Sequence, residues 1–211
     1  MGHADTKIRI LDAAEKLFAR HGFEGTSLRT LTGAAGVNLA AVNYHFGSKE
    51  VLIKAVIERR LMPLNKVRLE RLQKIKDKID AGSGMPDIKE ILLAFIEPTF
   101  EFRKSGKGVQ DFVTLISRSF SDPKDNVRKL FQDMMEPVFQ LLFRLLCEAL
   151  PALPQNIVYW RLNFMLGAMA YAMSMSQMCQ LIPDGFVLKA ESVPLAEQFV
   201  NFVANGMEAP L

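Results

Sequence analysis

Apolar residues recur at helical spacing along almost the whole chain. Ile10, Ala13, Ala14, Leu17 and Phe18 fall at i, i+3, i+4, i+7 and i+8, which is the apolar stripe of an amphipathic helix. Gly22 follows as a stop signal. Thr26 or Ser27 then caps a short helix running to about Ala35, with Leu28 and Leu31 turned inward. Gly36-Val37 makes a tight turn, Asn38 can cap again, and LAAVNYHF gives a third short helix. Gly47-Ser48 breaks that helix, and Ser48 caps a fourth beginning at Lys49. Three short helices within the first 46 residues, the last two joined by a glycine-bearing turn, read as a helix-turn-helix.

The fourth helix is predicted to run from about Lys49 to Asp80, kinked at Pro63, because the helical pattern resumes directly after the proline. AGSGMP at 81–86 is the clearest loop, and further helices are expected at about 87–104, 109–121, 124–150, 154–181 and 194–207. Pro98 and Pro137 fall inside apolar helices and predict kinks. No segment alternates like a strand. The fold class is all-α: a three-helix head over residues 1–48 on a larger helical body over 49–211, linked by the helix from about 49 to 80.

Composition narrows the class. Hydrophobic residues at 49% and charged residues at 23% are globular values and exclude a disordered chain. Cys147 and Cys179 show no CxxC spacing, so neither a disulfide framework nor a zinc ribbon is expected. Charges in MGHADTKIRILDAAE stand where a signal peptide needs an apolar run, so a cytoplasmic location is expected. Between Arg161 and Asp184 lie 22 uncharged residues, long enough to cross a bilayer. Asn163, Ser174, Ser176, Gln177 and Gln180 would be costly in hydrocarbon, so burial within protein is the reading, some of it against a second subunit.

The formal excess of +3 lies entirely in the first 60 residues, which carry nine basic against six acidic side chains. That is the pattern of an anion-binding head on a neutral body. All three histidines, His3, His21 and His45, lie there too, so the body has none to act as base or metal ligand. No GxSxG, HExxH or Walker pattern occurs. The chain is therefore expected to be no enzyme, with no metal and no cofactor.

The third helix has the features that a helix entering the DNA major groove needs. Leu39, Ala40 and Ala41 form a slim face able to touch thymine methyls, and Asn43 carries amide groups that can pair with adenine. Tyr44 and His45 can donate to phosphate oxygens. Lys49 adds a cation beside the amides that open the fourth helix. Thr26, Ser27 and Arg29 make a second phosphate clamp, and Asn38 stands at the start of the recognition helix. Phe46 reads as a core aromatic, a role also open to Tyr44.

These residues carry a resemblance. GFEGTSLRTLTGAAGVNLAAVNYHFGSKEVL is similar to the DNA-binding signature of TetR-type bacterial transcriptional regulators, over about residues 8 to 56. NLAAVNYHFGSK further resembles the PsrA-like branch, associated with fatty-acid metabolism. The resemblance implies backbone contacts at the motif positions just named. It also implies a homodimer through the last two long helices and a repressor bound to a palindromic operator. The chain departs from the pattern in three places. Its recognition helix lacks Lys and Arg, Asn43 stands where tyrosine is common, and Thr32 and Gly33 sit in the second helix where Ala and a polar helix former are usual. The first two bear on base preference rather than on affinity, which comes mainly from phosphate contacts.

The body is rich in soft apolar side chains suited to an irregular cavity. Phe95, Phe112, Met134, Met135, Phe139, Met165 and Met169 are candidate ligand contacts, although any of them can equally be core. Arg118 is a candidate partner for an anionic head group, or a surface arginine. The expected effector is a small, elongated, apolar molecule, and the PsrA-like resemblance points to a fatty acid or acyl-CoA. An all-α lipid-binding carrier or membrane-associated protein without sequence-specific DNA binding is the alternative.

Overall fold

The computed structural model describes residues 3–82, 84–104, 106, 108–119, 126–174 and 194–211. Among these every regular element is helical: α1 (His3–His21), α2 (Leu28–Ala35), α3 (Leu39–Phe46), α4 (Lys49–Asp80), α5 (Ile88–Lys104), α6 (Val109–Ser119), α7 (Asn126–Ala149), α8 (Gln155–Ser174) and α9 (Leu195–Glu208). The protein is all-α, as the apolar periodicity predicts. Helices α4, α5 and α7 run without a break through Pro63, Pro98 and Pro137. The expected end of the eighth helix, residues 175–181, lies outside the described residues.

The chain forms two compact units, residues 1–63 with 106–135, and residues 64–105 with 136–211. Helices α4 and α7 contribute residues to both. In the first unit, α1 packs against α2, α3 and α6. Its core is built from the predicted stripe: Ile10, Ala14 and Phe18 are buried with Leu31, Val42, Phe46, Leu52 and Ile53. The rings of Phe18 and Phe23 lie 5.7 Å apart. A charged knot sits beside this core. Glu15 is only 2% exposed, and its carboxylate accepts from Arg60 Nε at 2.9 Å and Nη2 at 3.1 Å, and also from Arg59. Gly108 closes the knot with a left-handed φ of +90°; a Cβ there would collide with the Arg60 guanidinium.

In the second unit, α5 packs on α9 and α9 on α8, with Phe100 and Phe199 in ring contact at 5.6 Å. Arg68 is buried between α4 and α5. It donates to Asn65 Oδ1 (3.0 Å), Thr99 Oγ1 (2.6 Å) and the Phe95 carbonyl (3.3 Å), and lies 4.4 Å from the Phe95 ring centre. Burial pushes its guanidinium down to about 9. No described helix is long and apolar enough to cross a membrane.

Candidate nucleic-acid interface

Local chemistry sets each helix of the head. Ser27 takes the N-cap of α2 and accepts from the Thr30 amide at 3.0 Å, which settles the choice between Thr26 and Ser27. Asn38 caps α3 through the Ala41 amide at 2.8 Å, and Ser48 caps α4 through the Val51 amide at 3.2 Å. Gly36, in the left-handed region at φ +61°, ends α2 and opens the turn into α3.

Helix α3 divides cleanly into two faces. Val42 and Phe46 are buried, while Leu39, Ala40, Asn43 and Tyr44 are exposed; Tyr44 is 75% accessible, so it is not a core aromatic. Ala41 and His45 lie half-buried at the rim. The rings of Tyr44 and His45 meet edge-on at 5.2 Å. Ser27 and Arg29 are exposed on α2, and Lys49 is half-buried with its ammonium 4.3 Å from the centre of the Phe23 ring. A slim apolar-amide face is thus flanked by hydroxyl and cationic donors, the arrangement of a groove-reading helix with phosphate anchors. Glu50 stands beside Lys49, its carboxyl held below the usual range by its own backbone amide and by the Ser48 hydroxyl.

Thr26 departs from the expected clamp. It is 2% exposed, and its hydroxyl donates to the Gly22 carbonyl at 2.8 Å and approaches that of Leu17 at 3.3 Å. A hydroxyl committed to backbone carbonyls inside the head braces the α1–α2 loop and does not face solvent, whereas Ser27 and Arg29 of the expected clamp are exposed.

The candidate ligand residues fall in both units. Phe112 and Met135 are buried and Met134 half-buried in the first unit. Phe95, Met165 and Met169 are buried and Phe139 half-buried in the second, where the Phe95 and Phe139 rings lie 6.0 Å apart. Arg118 donates to the Arg20 carbonyl at 2.9 Å and lies against Gly22, where it holds the C-terminus of α1. A surface groove of about 530 Å³ on α7 and the start of α8 is lined by other residues: Gln140, Phe143, Arg144, Cys147, Glu148 and Gln155.

Sequence pattern gives no sign of Arg9. This side chain of α1 donates from one nitrogen, Nη2, to the carbonyls of Ala35 (2.6 Å) and Gly36 (2.7 Å). Nor does it single out Phe23 as a platform for Lys49. Both contacts join residues 26 or more positions apart, beyond the reach of local periodicity.

Comparison with known proteins fits this geometry. The profile of bacterial regulatory proteins of the tetR family matches residues 10–56, and that of the tetracyclin repressor-like C-terminal domain matches residues 93–206. The chain belongs to the TetR family of DNA-binding transcriptional regulators. It is 57% identical over 47 residues to the HTH-type transcriptional regulatory protein RaaS of Mycobacterium tuberculosis, covering 22% of each chain. It is 32% identical over 95 residues to the regulator AcrR of Shigella flexneri, covering 45% of this chain and 42% of that one. The match thus spans less than half the length of these relatives. Among solved structures, HlyIIR, a hemolysin II transcriptional regulator, shares the fold at a TM-score of 0.62 and 18% identity, over 99% of this chain and 100% of that one.

Proposed function

We propose that the protein is a ligand-responsive repressor that binds a palindromic operator as a homodimer in the cytoplasm and is released by an elongated apolar effector. The observation that carries the reading is the two-faced α3, whose exposed face of Leu39, Ala40, Asn43 and Tyr44 is bracketed by Ser27, Arg29, His45 and Lys49. Leu39, Ala40, Ala41 and Asn43 read base edges; Ser27, Arg29, Tyr44, His45 and Lys49 hold phosphates. The functional division is residues 1–48 for DNA and 49–211 for ligand and dimer.

Exposed aromatics support the dimer. Tyr159, Trp160, Phe164 and Tyr171 on α8 and Phe202 on α9 all stand more than half accessible, an apolar surface that a second copy would cover. A twofold dimer sets its recognition helices about 34–36 Å apart, or a multiple of that, and so selects a palindrome. The soft apolar side chains Phe95, Phe139, Met165 and Met169 suit an elongated apolar effector, and the fatty-acid or acyl-CoA class rests on the PsrA-like resemblance. Such a ligand shifts the population off DNA by no more than its differential affinity for the two conformers.

The test is selection of DNA fragments by the purified protein at two salt concentrations, with and without long-chain acyl ligands. A His45→Ala, Lys49→Ala double variant runs alongside. A palindrome weakened by salt, lost in the variant and released by acyl ligand is the expected result. Enrichment that no acyl ligand perturbs would discard the effector and keep the repressor. Failure to enrich any sequence would discard both.

A further inference from the structure

We propose that Arg9 is a positioning residue for DNA recognition: it fixes the turn between α2 and α3 and, through it, the angle at which α3 meets DNA. The proposal rests on the DNA-binding reading above and adds a residue outside the set assigned to contact.

Helix α3 is short and buries only Val42 and Phe46, four positions apart on one face. Two apolar contacts a turn apart press the helix against the head but resist rotation about their common line only weakly. Further restraint comes from the connections at its two ends, and the one that precedes the helix leads directly into Leu39 and Ala40. Within that connection the Val37 amide donates to the Thr32 carbonyl at 3.1 Å and the Gly36 amide to the Gly33 carbonyl at 3.3 Å, which satisfies part of the α2 C-terminus. The carbonyls of Ala35 and Gly36 are taken by Arg9 Nη2 alone among the described hydrogen bonds.

Charge points the same way. Helix α2 has no basic residue in its last turn. Arg9, from α1, therefore brings in the positive charge that a helix C-terminus favours. Gly36 completes the device: its φ is +61°, and a Cβ there would stand 2.7 Å from the same Arg9 nitrogen. Two residues later, Asn38 caps α3. Slack at the Gly36 carbonyl would pass into the first turn of α3, where Leu39 and Ala40 face outward.

The experiment compares Arg9→Met and Arg9→Lys in the full chain, with Arg29→Ala as the reference for a lost phosphate contact. The probes are the duplex that the wild type selects from a random library and a scrambled duplex. Arg9→Met is expected to weaken binding to the selected duplex about tenfold or more, leave the scrambled duplex unaffected, and leave the slope of log affinity against log salt unchanged. Arg9→Lys should restore most of the loss, because one ammonium can bridge the same two carbonyls. Without DNA, amide exchange at Val37 and Ala41 should accelerate in Arg9→Met while helix content stays constant.

An equal loss on both duplexes, with the slope reduced by about one as in Arg29→Ala, would make Arg9 a phosphate contact and overturn the proposal. Unchanged affinity and exchange would overturn it as well. If the wild type selects no duplex, the DNA reading fails. The exchange comparison then still decides whether Arg9 holds the turn.

Discussion

Lys49 holds its ammonium 4.3 Å from the centre of the Phe23 ring, so a buried aromatic of the α1–α2 loop aims a cation at the first turn of α4. The ring limits where the flexible side chain can go and, on the proposed phosphate role of Lys49, reduces the entropy lost on contact with DNA. Lys49→Ala should weaken binding almost uniformly across DNA sequences and lower the salt slope by about one. Phe23→Leu should keep the slope and weaken binding by a smaller factor. Titration of labelled duplex at several salt concentrations separates the two; a slope that falls equally in both variants would remove the platform role.

Gly33 lies in the exposed interior of α2 with open space where a Cβ would stand. Its backbone is helical, so alanine adopts it without strain, and the unfolded chain loses freedom. Gly33→Ala should stabilise the protein by ~1 kcal/mol and raise Tm by about 2–4 °C, read by thermal melting. A lower Tm would show that the position is crowded in solution.

The knot of Glu15, Arg59, Arg60 and Gly108 predicts the opposite sign. Gly108→Ala forces a Cβ onto the Arg60 guanidinium at a backbone angle that L residues avoid. Its cost should be about 1–3 kcal/mol. Glu15→Ala removes the buried carboxylate that both guanidinium groups share, while Asp12 still pairs with Arg59, and should cost about 1–3 kcal/mol. Urea unfolding measures both, and a neutral Glu15→Ala would mean that water enters the site.

The Cys147 thiol is pushed above its usual range, first by burial and then by the neighbouring Glu148 carboxylate. A raised thiol pKa means less thiolate at any pH below it, hence slower alkylation. In a Cys179→Ser background, Cys147 should react with iodoacetamide at pH 8 more slowly than free cysteine, and Glu148→Gln should speed it modestly. A rate above that of free cysteine would contradict the assigned direction.

Trp160 and Phe164 stack at 6.2 Å on the exposed face of α8. If a second copy covers them, Phe164→Arg places an unpaired charge in the interface and should convert the dimer to monomer. Sedimentation at micromolar concentration reads this directly, and an unchanged dimer would move the interface elsewhere.

Much of this was legible in the chain. Helix α4 runs over Lys49–Asp80, the span that its apolar pattern predicts, and the caps Asn38 and Ser48 follow from their place before apolar runs, while the pattern narrows that of α2 only to Thr26 or Ser27. Contacts between side chains and distant carbonyls were not. Arg9 on Ala35, Arg118 on Arg20 and Arg161 on Met207 each close a helix end from another helix, and one arginine in a sequence looks like any other. Thr26 shows the converse: its residue type suits a phosphate clamp, and only burial reveals that its hydroxyl is spent. The body resisted reading because a buried Met or Phe looks the same whether it fills a core or lines a cavity.

Helix α3 carries neither lysine nor arginine; the cations around it stand on α2 and α4, and the arginine at its turn on α1. On the proposed DNA-binding reading, the base-reading positions of α3 and the Arg29 and Lys49 charges are thereby encoded by different stretches of the gene, with Tyr44 and His45 the phosphate anchors that α3 itself carries. If these residues act as proposed, codons for Leu39, Ala40 and Asn43 can drift, and operator preference with them, while the charges of Arg29 and Lys49 stay constant. A lineage built this way can acquire new target genes by a few substitutions without passing through a form that has lost its hold on DNA.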